Sequence, residues 1–432
     1  MTATVVFFFC VSKRGSEMFP KVLIVAEHAS ASAGGEAFIP LQYFKFFREM
    51  GIDVHLLVHE RWQTELRKLL SNEMERLHFV RDGFINVLCH KIVQLMPNRR
   101  AVSFTLRAIS HFTTQIRQRR LIPSLVKTHH FDIVHEPIPV SPRLPSIMFG
   151  MSVPVVIGPM NGGMEFPPHY NFDQWFERFI MFFLKFTSAF WNALLPGKLD
   201  AALLLVANKR TLNALPRNLR RKQIREMPEN GVDLELFKPM PRNGIHRKVS
   251  IIYVGALVDW KRVDLLIAAC ASLKGKVDFE VHVVGDGPER VALERQTQES
   301  LLTNQVRIHG LLSHMAVADL LKASDIMVHP AMRECGGAVI LEAMASGVPV
   351  VAADWGGPSD YIDADSGVLI PPATPDKFVS QLADAIRSLS ENPQLRKELG
   401  RAGRRRVQSL YDWRVKAKTM LQIYRDVLGA AP

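Results

Sequence analysis

The densest group of chemistry-bearing residues is HPAMRECGGAVILEAMASGVPVV at 329–351. An apolar strand runs into His329 and Pro330, a loop carries Glu334, and Gly336-Gly337 opens a helix over 338–346 with Glu342 near its middle. A helix start offers unpaired N–H groups and the positive end of the peptide dipoles, worth roughly 0.3–2 kcal/mol to an anion. Glycines at that point let a phosphate approach the backbone closely. Glu334 and Glu342 stand eight positions apart, one in the loop and one two turns along the helix. Carboxylates so placed can accept hydroxyl hydrogen bonds from two parts of one polyhydroxylated ligand, each worth roughly 1.5–3 kcal/mol. Taken singly, each feature has a plainer reading: Glu342 pairs with a surface lysine, and the glycines serve a turn. Glu342 is the informative residue, because it interrupts an apolar run where an unpaired carboxylate would be costly to bury.

Weaker signals surround this one. In YVGALVDWKRVDLLIAA (253–269) a strand ends at Gly255 and Lys261 begins the next helical region, where a cation can neutralise a pyrophosphate. VHVVGDGPE carries Gly285 and Gly287 after a strand, a pattern that is most often only a turn. ASASAGGEA places Gly34-Gly35 after the first strand, and FDIVHEP ends a strand at His135 and Glu136. A histidine at a strand's carboxyl end either hydrogen-bonds a ligand hydroxyl or is satisfied within the core. Asn161-Gly162-Gly163 follows VVIGPM as a further cleft loop of low specificity. The Asp-x-Asp at 363–365 precedes a strand and reads as a turn; there is no Gly-x-x-x-x-Gly-Lys-Ser/Thr phosphate loop, and no histidine pair has metal-ligand spacing on a helix.

The elements that must position these residues repeat a pattern. Apolar, β-rich runs at 21–28, 52–59, 131–137, 153–159 and 201–207 alternate with helical sequence, and the pattern restarts at 249–257, 279–288, 306–310, 324–330 and 347–354. Continuous apolar strands between helices predict parallel sheets covered on both faces, hence two doubly wound Rossmann-like units with a cleft between them. The linker falls near 230–243, where Asn-Gly and prolines concentrate, and an apolar-periodic helix covers 412–428.

A chain of 432 residues with 47% apolar and 22% charged residues is an ordinary globular protein of two or three domains. Its 4 scattered cysteines argue against a structural zinc site and fit a reducing compartment. The net charge of +12 is uneven: residues 1–235 hold 29 Lys and Arg against 20 Asp and Glu, the remainder 25 against 22. Excess positive charge favours anionic partners, namely nucleic acid, acidic lipid or phosphorylated substrates. No recognition-helix motif or interleaved aromatic-basic strand supports nucleic acid. The apolar run at 5–11 lacks signal-peptide flanks, so the fold is read from Met18 onward. The stretch 179–195 is the most apolar; at 17 residues with Lys185 in its middle it is marginal for a membrane span, and it reads alternatively as an interfacial helix or a buried core helix.

The loop glutamate, the glycine pair, the second glutamate eight positions on and EAMASGVPVVA resemble the donor-site signature of glycosyltransferase family 4. These are retaining, nucleotide-sugar-dependent enzymes of the GT-B fold. The resemblance is dense over 230–363 and looser over 19–230. Residues 1–17 read as an appendage or an over-extended gene start; the resemblance implies an acceptor-binding domain at 18–235, a nucleotide-sugar-binding domain at 236–411, and a C-terminal helix at 412–432 crossing back to the first domain. By the same resemblance Glu334 lies by the donor sugar, Glu342 binds the nucleotide ribose, His135 touches the sugar near the reacting centre, and Lys261 neutralises the diphosphate. Gly336, Gly337, Gly255, Gly285, Gly287, Arg262 and Gly35 fall on the donor side; Gly34, Asn161 and Glu136 fall on the acceptor side. Two positions depart from the pattern. Cys335-Gly336-Gly337 replaces Gly-Phe-Gly, and Ala256 stands where an arginine is usual. The implied activity is metal-independent, cofactor-free transfer of a hexose, from UDP- or GDP-hexose, to a glycan or lipid-linked hydroxyl in polysaccharide or glycolipid assembly. The basic first half and 179–195 add an expectation of peripheral association with an anionic, cytoplasmic membrane face. The alternative is a nucleotide-sugar-binding protein whose transfer is impaired or lost through Ala256.

Overall fold

The computed structural model describes residues 19–32, 34–95, 100–170, 175–240 and 248–430; the expected appendage at 1–17 lies outside them. Seven strands form the first sheet: β1 (Val22–Val25), β2 (Val54–His59), β3 (Leu77–Val80), β4 (Ile133–Glu136), β5 (Val155–Met160), β6 (Leu203–Val206) and β7 (Ile224–Glu226). Their order is β3-β2-β1-β4-β5-β6-β7. Six form the second: β8 (Val249–Val254), β9 (Phe279–Val284), β10 (Val306–Gly310), β11 (Ile326–His329), β12 (Val350–Ala353) and β13 (Gly367–Ile370), in the order β10-β9-β8-β11-β12-β13. Every pairing between these strands is parallel.

The continuous apolar runs are what such sheets require, since both faces are covered. In β1 the alternation splits the strand between two layers. Val22 and Ile24 join the core that contains Tyr43, Phe44, Phe46 and Phe47 of helix Phe38–Glu49, whereas Leu23 and Val25 join Ile122 and Leu125 of helix Arg100–His129. The C-terminal helix Trp413–Gly429 begins on an Asp412 cap and crosses to the first unit. There Trp413 packs edge-on to Tyr43 and face-to-face with Phe46, and Met420 and Tyr424 enter the same core. The outgoing and returning crossovers lie side by side, joined by the Val232 N–H to Tyr411 C=O bond of 2.8 Å.

Two strands have no counterpart in the sequence reading, β3 and β7. Each is a short sheet edge, and β7 is a half-exposed Ile-Arg-Glu with no apolar run to announce it. The segment after β5 also departs from the expected partition. Tyr170, inside the stretch assigned to the first domain, is 1% exposed and belongs to the hydrophobic core of the second sheet. Within the described residues no helix is long and apolar enough to cross a membrane.

Candidate active site between the two sheets

In a doubly wound sheet, ligands bind beyond the carboxyl ends of the strands where the winding direction reverses. In the second sheet that point lies between β8 and β11. β8 runs into Gly255 and then the short turn Asp259–Lys261, while β11 ends at His329 and leads to the Glu334 loop. The two exits meet: the Lys261 ammonium donates to Glu334 Oε2, and His329 Nε2, 3.2 Å away, donates to the same oxygen. Burial alone would raise the Glu334 pKa, but the Lys261 charge and the His329 hydrogen bond hold the carboxyl well below the usual range. Burial depresses His329, so it stays a neutral donor at neutral pH, stacked on Tyr253.

Gly337 caps helix Ala338–Ala345 with φ 85°, and a Cβ there would stand 3.1 Å from Glu334 Cγ, so glycine lets the loop turn directly into the helix. No side chain caps this helix start, which lies against Glu334. About one and a half turns on, Glu342 keeps 14% of its side chain exposed and bonds His314 Nε2 at 3.0 Å. His314 opens helix His314–Ala323 behind the Ser313 cap, between the rings of Phe237 and of Phe38 from the first unit. Burial disfavours its protonated form, but the Glu342 hydrogen bond and charge outweigh that and raise its pKa.

The other residues singled out from the sequence take varied places. Gly285 and Gly287 serve a close approach of loops: a Cβ at either would stand 1.9 Å from the Gly255 carbonyl oxygen or 2.3 Å from that of Leu257. They let this loop lie directly against the Gly255–Leu257 segment that follows β8. Arg262 is committed to Asp264, at 2.7 Å, and lies over the Tyr170 ring. Ala256 is exposed beside Gly255, its carbonyl accepting from Tyr253 at 3.1 Å. Gly34 and Gly35, at φ 64° and 55°, form an open turn before helix Phe38–Glu49. Asn161 reaches across the units, donating to Glu229 at 2.6 Å and to the Cys335 carbonyl at 2.9 Å.

His135 and Glu136 require correction. His135 is fully buried; Nε2 meets the Gly158 carbonyl at 2.6 Å and Nδ1 meets the Tyr424 hydroxyl at 2.7 Å. Both ring nitrogens are occupied where β4, β5 and the returning C-terminal helix pack, so no nitrogen is left to reach a sugar. Glu136, 2% exposed, accepts from Ser146 at 2.7 Å and from Gln115; burial raises its pKa. Both side chains are buried and held by these partners rather than exposed to a ligand.

Sequence reasoning missed the residues that join the units around the Cys335 loop. Asp360 accepts from Asn208 at 2.8 Å and Arg210 at 3.1 Å, Arg210 also reaches the Cys335 carbonyl, and Trp355 donates to the Glu165 carbonyl at 2.8 Å. Gly357 donates to the Glu334 carbonyl at 2.7 Å, and a Cβ at Gly356 would stand 2.5 Å from that oxygen. The Trp355-Gly356-Gly357 triplet after β12 was a visible signal of the same kind as Gly336-Gly337. Glu229, buried under Gly336, has its pKa pushed up to about 7 by burial. The site is therefore a charged, glycine-lined turn that can seat a diphosphate, flanked by two acidic side chains that can accept from hydroxyls.

Residues 240–406 match the family model of glycosyl transferases group 1. An alpha-D-kanosaminyltransferase of Streptomyces kanamyceticus is 30% identical over 190 residues, 43% of this chain and 48% of its own length. The chain spans about half the length of the curated relatives it matches. A sucrose-phosphate synthase structure from Thermosynechococcus elongatus superposes with a TM-score of 0.66 at 19% identity, over 95% of this chain and 100% of that one. The Anabaena protein Alr3699/HepE in complex with UDP-glucose gives a TM-score of 0.63 at 17% identity, over 95% and 100%. At these identities the likeness is one of fold, the GT-B arrangement of two facing Rossmann-like units.

Proposed function

We propose, from the match of residues 240–406 to the family model of glycosyl transferases group 1, that this protein moves a hexose from a nucleotide sugar to an acceptor hydroxyl with retention at the anomeric carbon. The observation that carries the reading is the Lys261–Glu334–His329 cluster at the open start of helix Ala338–Ala345. Charge that develops on a departing diphosphate would meet an ammonium and uncapped backbone N–H groups there. Glu334, whose Oε2 already holds two donors, is suited to orienting the sugar rather than attacking it. Glu342 would hold the ribose. The acceptor oxygen would attack on the face from which the diphosphate leaves, and the departing phosphate oxygen would take its proton. No resident metal enters this scheme.

The test is a thermal-shift screen over nucleotide sugars, followed by NMR of the product's anomeric configuration with a chelator present. A ligand at 100 times its Kd adds about 2.7 kcal/mol of stability, so the true donor stands out. An inverted product, or no donor that raises the melting temperature, would overturn the proposal.

The Glu342–His314 pair adds a pH dependence. His314 has a folded-state pKa above its ordinary 6.5, so the stability its charged form gives is full below that value and fades as pH climbs through the raised one. A ribose that takes Glu342 competes with protonated His314. Donor affinity is therefore expected to rise with pH across this window, and His314→Asn is expected to flatten the profile. Titration of donor binding from pH 6 to 8.5 by calorimetry reads both; a slope unchanged in the variant would refute the competition.

We place the acceptor at a membrane surface, as a lipid-linked or glycan hydroxyl, with the protein peripheral on the inner face. Two apolar helices of the first unit support this: Trp175–Leu194 leaves Phe182, Phe183, Phe186 and Phe190 exposed, and Phe84–Leu95 exposes Phe84, Ile85 and Leu88. The purified chain is expected to sediment with anionic vesicles at low salt, and Phe186→Asp with Phe190→Asp to weaken this. No sedimentation of the wild-type chain at low salt would refute the placement.

A further inference from the structure

At the opposite end of the first sheet from the cleft, three histidines from three elements converge. His55 is the second residue of β2 and His78 the second of β3, at the strands' amino ends. The parallel register sets Leu57 opposite His78, so His55, two residues earlier, shares its face. His129 closes helix Arg100–His129, which returns over that face before the chain turns through His130 at φ 56°. One ring nitrogen from each of the three lies within 4.8 Å of the others, and His55 Nδ1 and His78 Nε2 are 2.9 Å apart. His55 is 4% exposed; the other two are half-buried.

We propose that His55, His78 and His129 bind a divalent transition ion of imidazole-preferring type, with Zn²⁺ as its representative, in a site separate from the transfer reaction. Zinc–nitrogen bonds of about 2.0–2.1 Å put tetrahedral nitrogens about 3.3 Å apart, which falls inside the present spread. Three imidazoles suit this class of ion, and water would complete the fourth position. Burial, together with the neighbouring histidines, lowers His55 and His78 to about 4, so these two rings are neutral at neutral pH. One hydrogen now bridges His55 and His78; on binding it moves to an outer nitrogen, with no net proton release.

Asp53 supports the assignment independently. Its Oδ1 is buried without a hydrogen-bond partner, 3.6 Å from His55 Nε2 and 3.3 Å from the Arg76 guanidinium, while Lys21 lies 3.7 Å from Oδ2. A carboxylate behind the outer nitrogen of a histidine ligand fixes the tautomer that turns the inner nitrogen to the metal. Bound there, the ion would tie the end of helix Arg100–His129 to the edge of the sheet.

The test uses the full, tag-free chain after chelation and dialysis, with Co²⁺ as the spectroscopic probe and Zn²⁺ as competitor. One Co²⁺ per chain with the visible absorption of a tetrahedral ion, displaced by Zn²⁺, is expected. His78→Asn and His129→Asn, both at half-buried positions, should each abolish that absorption, while sugar transfer and the metal-free circular dichroism spectrum stay at wild-type values. Asp53→Asn should weaken Co²⁺ binding by about 10- to 100-fold. Wild-type protein that takes up no Co²⁺, or binds it with the same affinity and spectrum as the two histidine variants, would overturn the site without touching the reading of the cleft.

Discussion

Lys261→Ala is expected to lower sugar transfer by about 10²–10³-fold at saturating donor. The side chain is 15% exposed and its ammonium sits on Glu334 at the start of helix Ala338–Ala345, where a leaving diphosphate would gather charge. Its contribution would grow as the bond to the sugar breaks, so kcat falls with kcat/KM. A structural explanation must be separated from this one. Removing the ammonium strands the Glu334 carboxylate with His329 alone, and an unpaired, largely buried charge is costly. The double variant Lys261→Ala with Glu334→Gln removes that stranded charge. If the loss in the single variant came from misfolding around Glu334, the double variant should recover melting temperature and match the rate of Glu334→Gln alone. If Lys261 stabilises the leaving group, melting temperature recovers while the rate stays well below that of Glu334→Gln alone. A single variant within tenfold of wild type would show that the departing charge is carried elsewhere.

Glu342→Gln is expected to weaken donor binding by roughly 10- to 150-fold, the equivalent of about 1.5–3 kcal/mol for a charge-assisted hydrogen bond. The rate at saturating donor should stay close to wild type, because the ribose does not change charge during transfer. The substitution also deprives His314 of its acceptor at 3.0 Å. His314→Asn is thus the control: it leaves the carboxylate in place and should preserve or improve affinity at neutral pH. Calorimetry with the nucleoside diphosphate alone reads both variants without turnover. Affinity of Glu342→Gln within twofold of wild type would place the ribose elsewhere.

The clearest lesson in reading the chain comes from paired residues. Glu342 and His135 are both polar side chains at interruptions of apolar sequence, and the sequence treats them alike. The structure separates them by packing. Glu342 stays 14% exposed beside His314, which touches Phe38 of the first unit, whereas His135 is enclosed by Gly158 and by Tyr424, which arrives from a helix 289 positions later in the chain. No local pattern near His135 reports that helix. The three histidines at the far end of the sheet were illegible for the same reason: metal-ligand spacing is readable on one helix, but these come from β2, β3 and a helix end, spread across 55–129.

What the residues alone determined is whatever depends on short-range periodicity. Two sets of continuous apolar strands require two covered parallel sheets. Glycines at the strand exits mark turns that need positive φ or close backbone approach. The Glu334 to Glu342 spacing puts both carboxylates on one loop-helix unit. Tertiary structure decided everything that depends on which segments meet. It paired Lys261 with Glu334 across 73 positions, buried Tyr170 in the second unit's core, and enlisted Asn208, Arg210 and Asp360 to join the units. The physical reason is that periodicity encodes which face of an element is buried, whereas the identity of the partner on that face depends on topology and on side-chain packing at a distance.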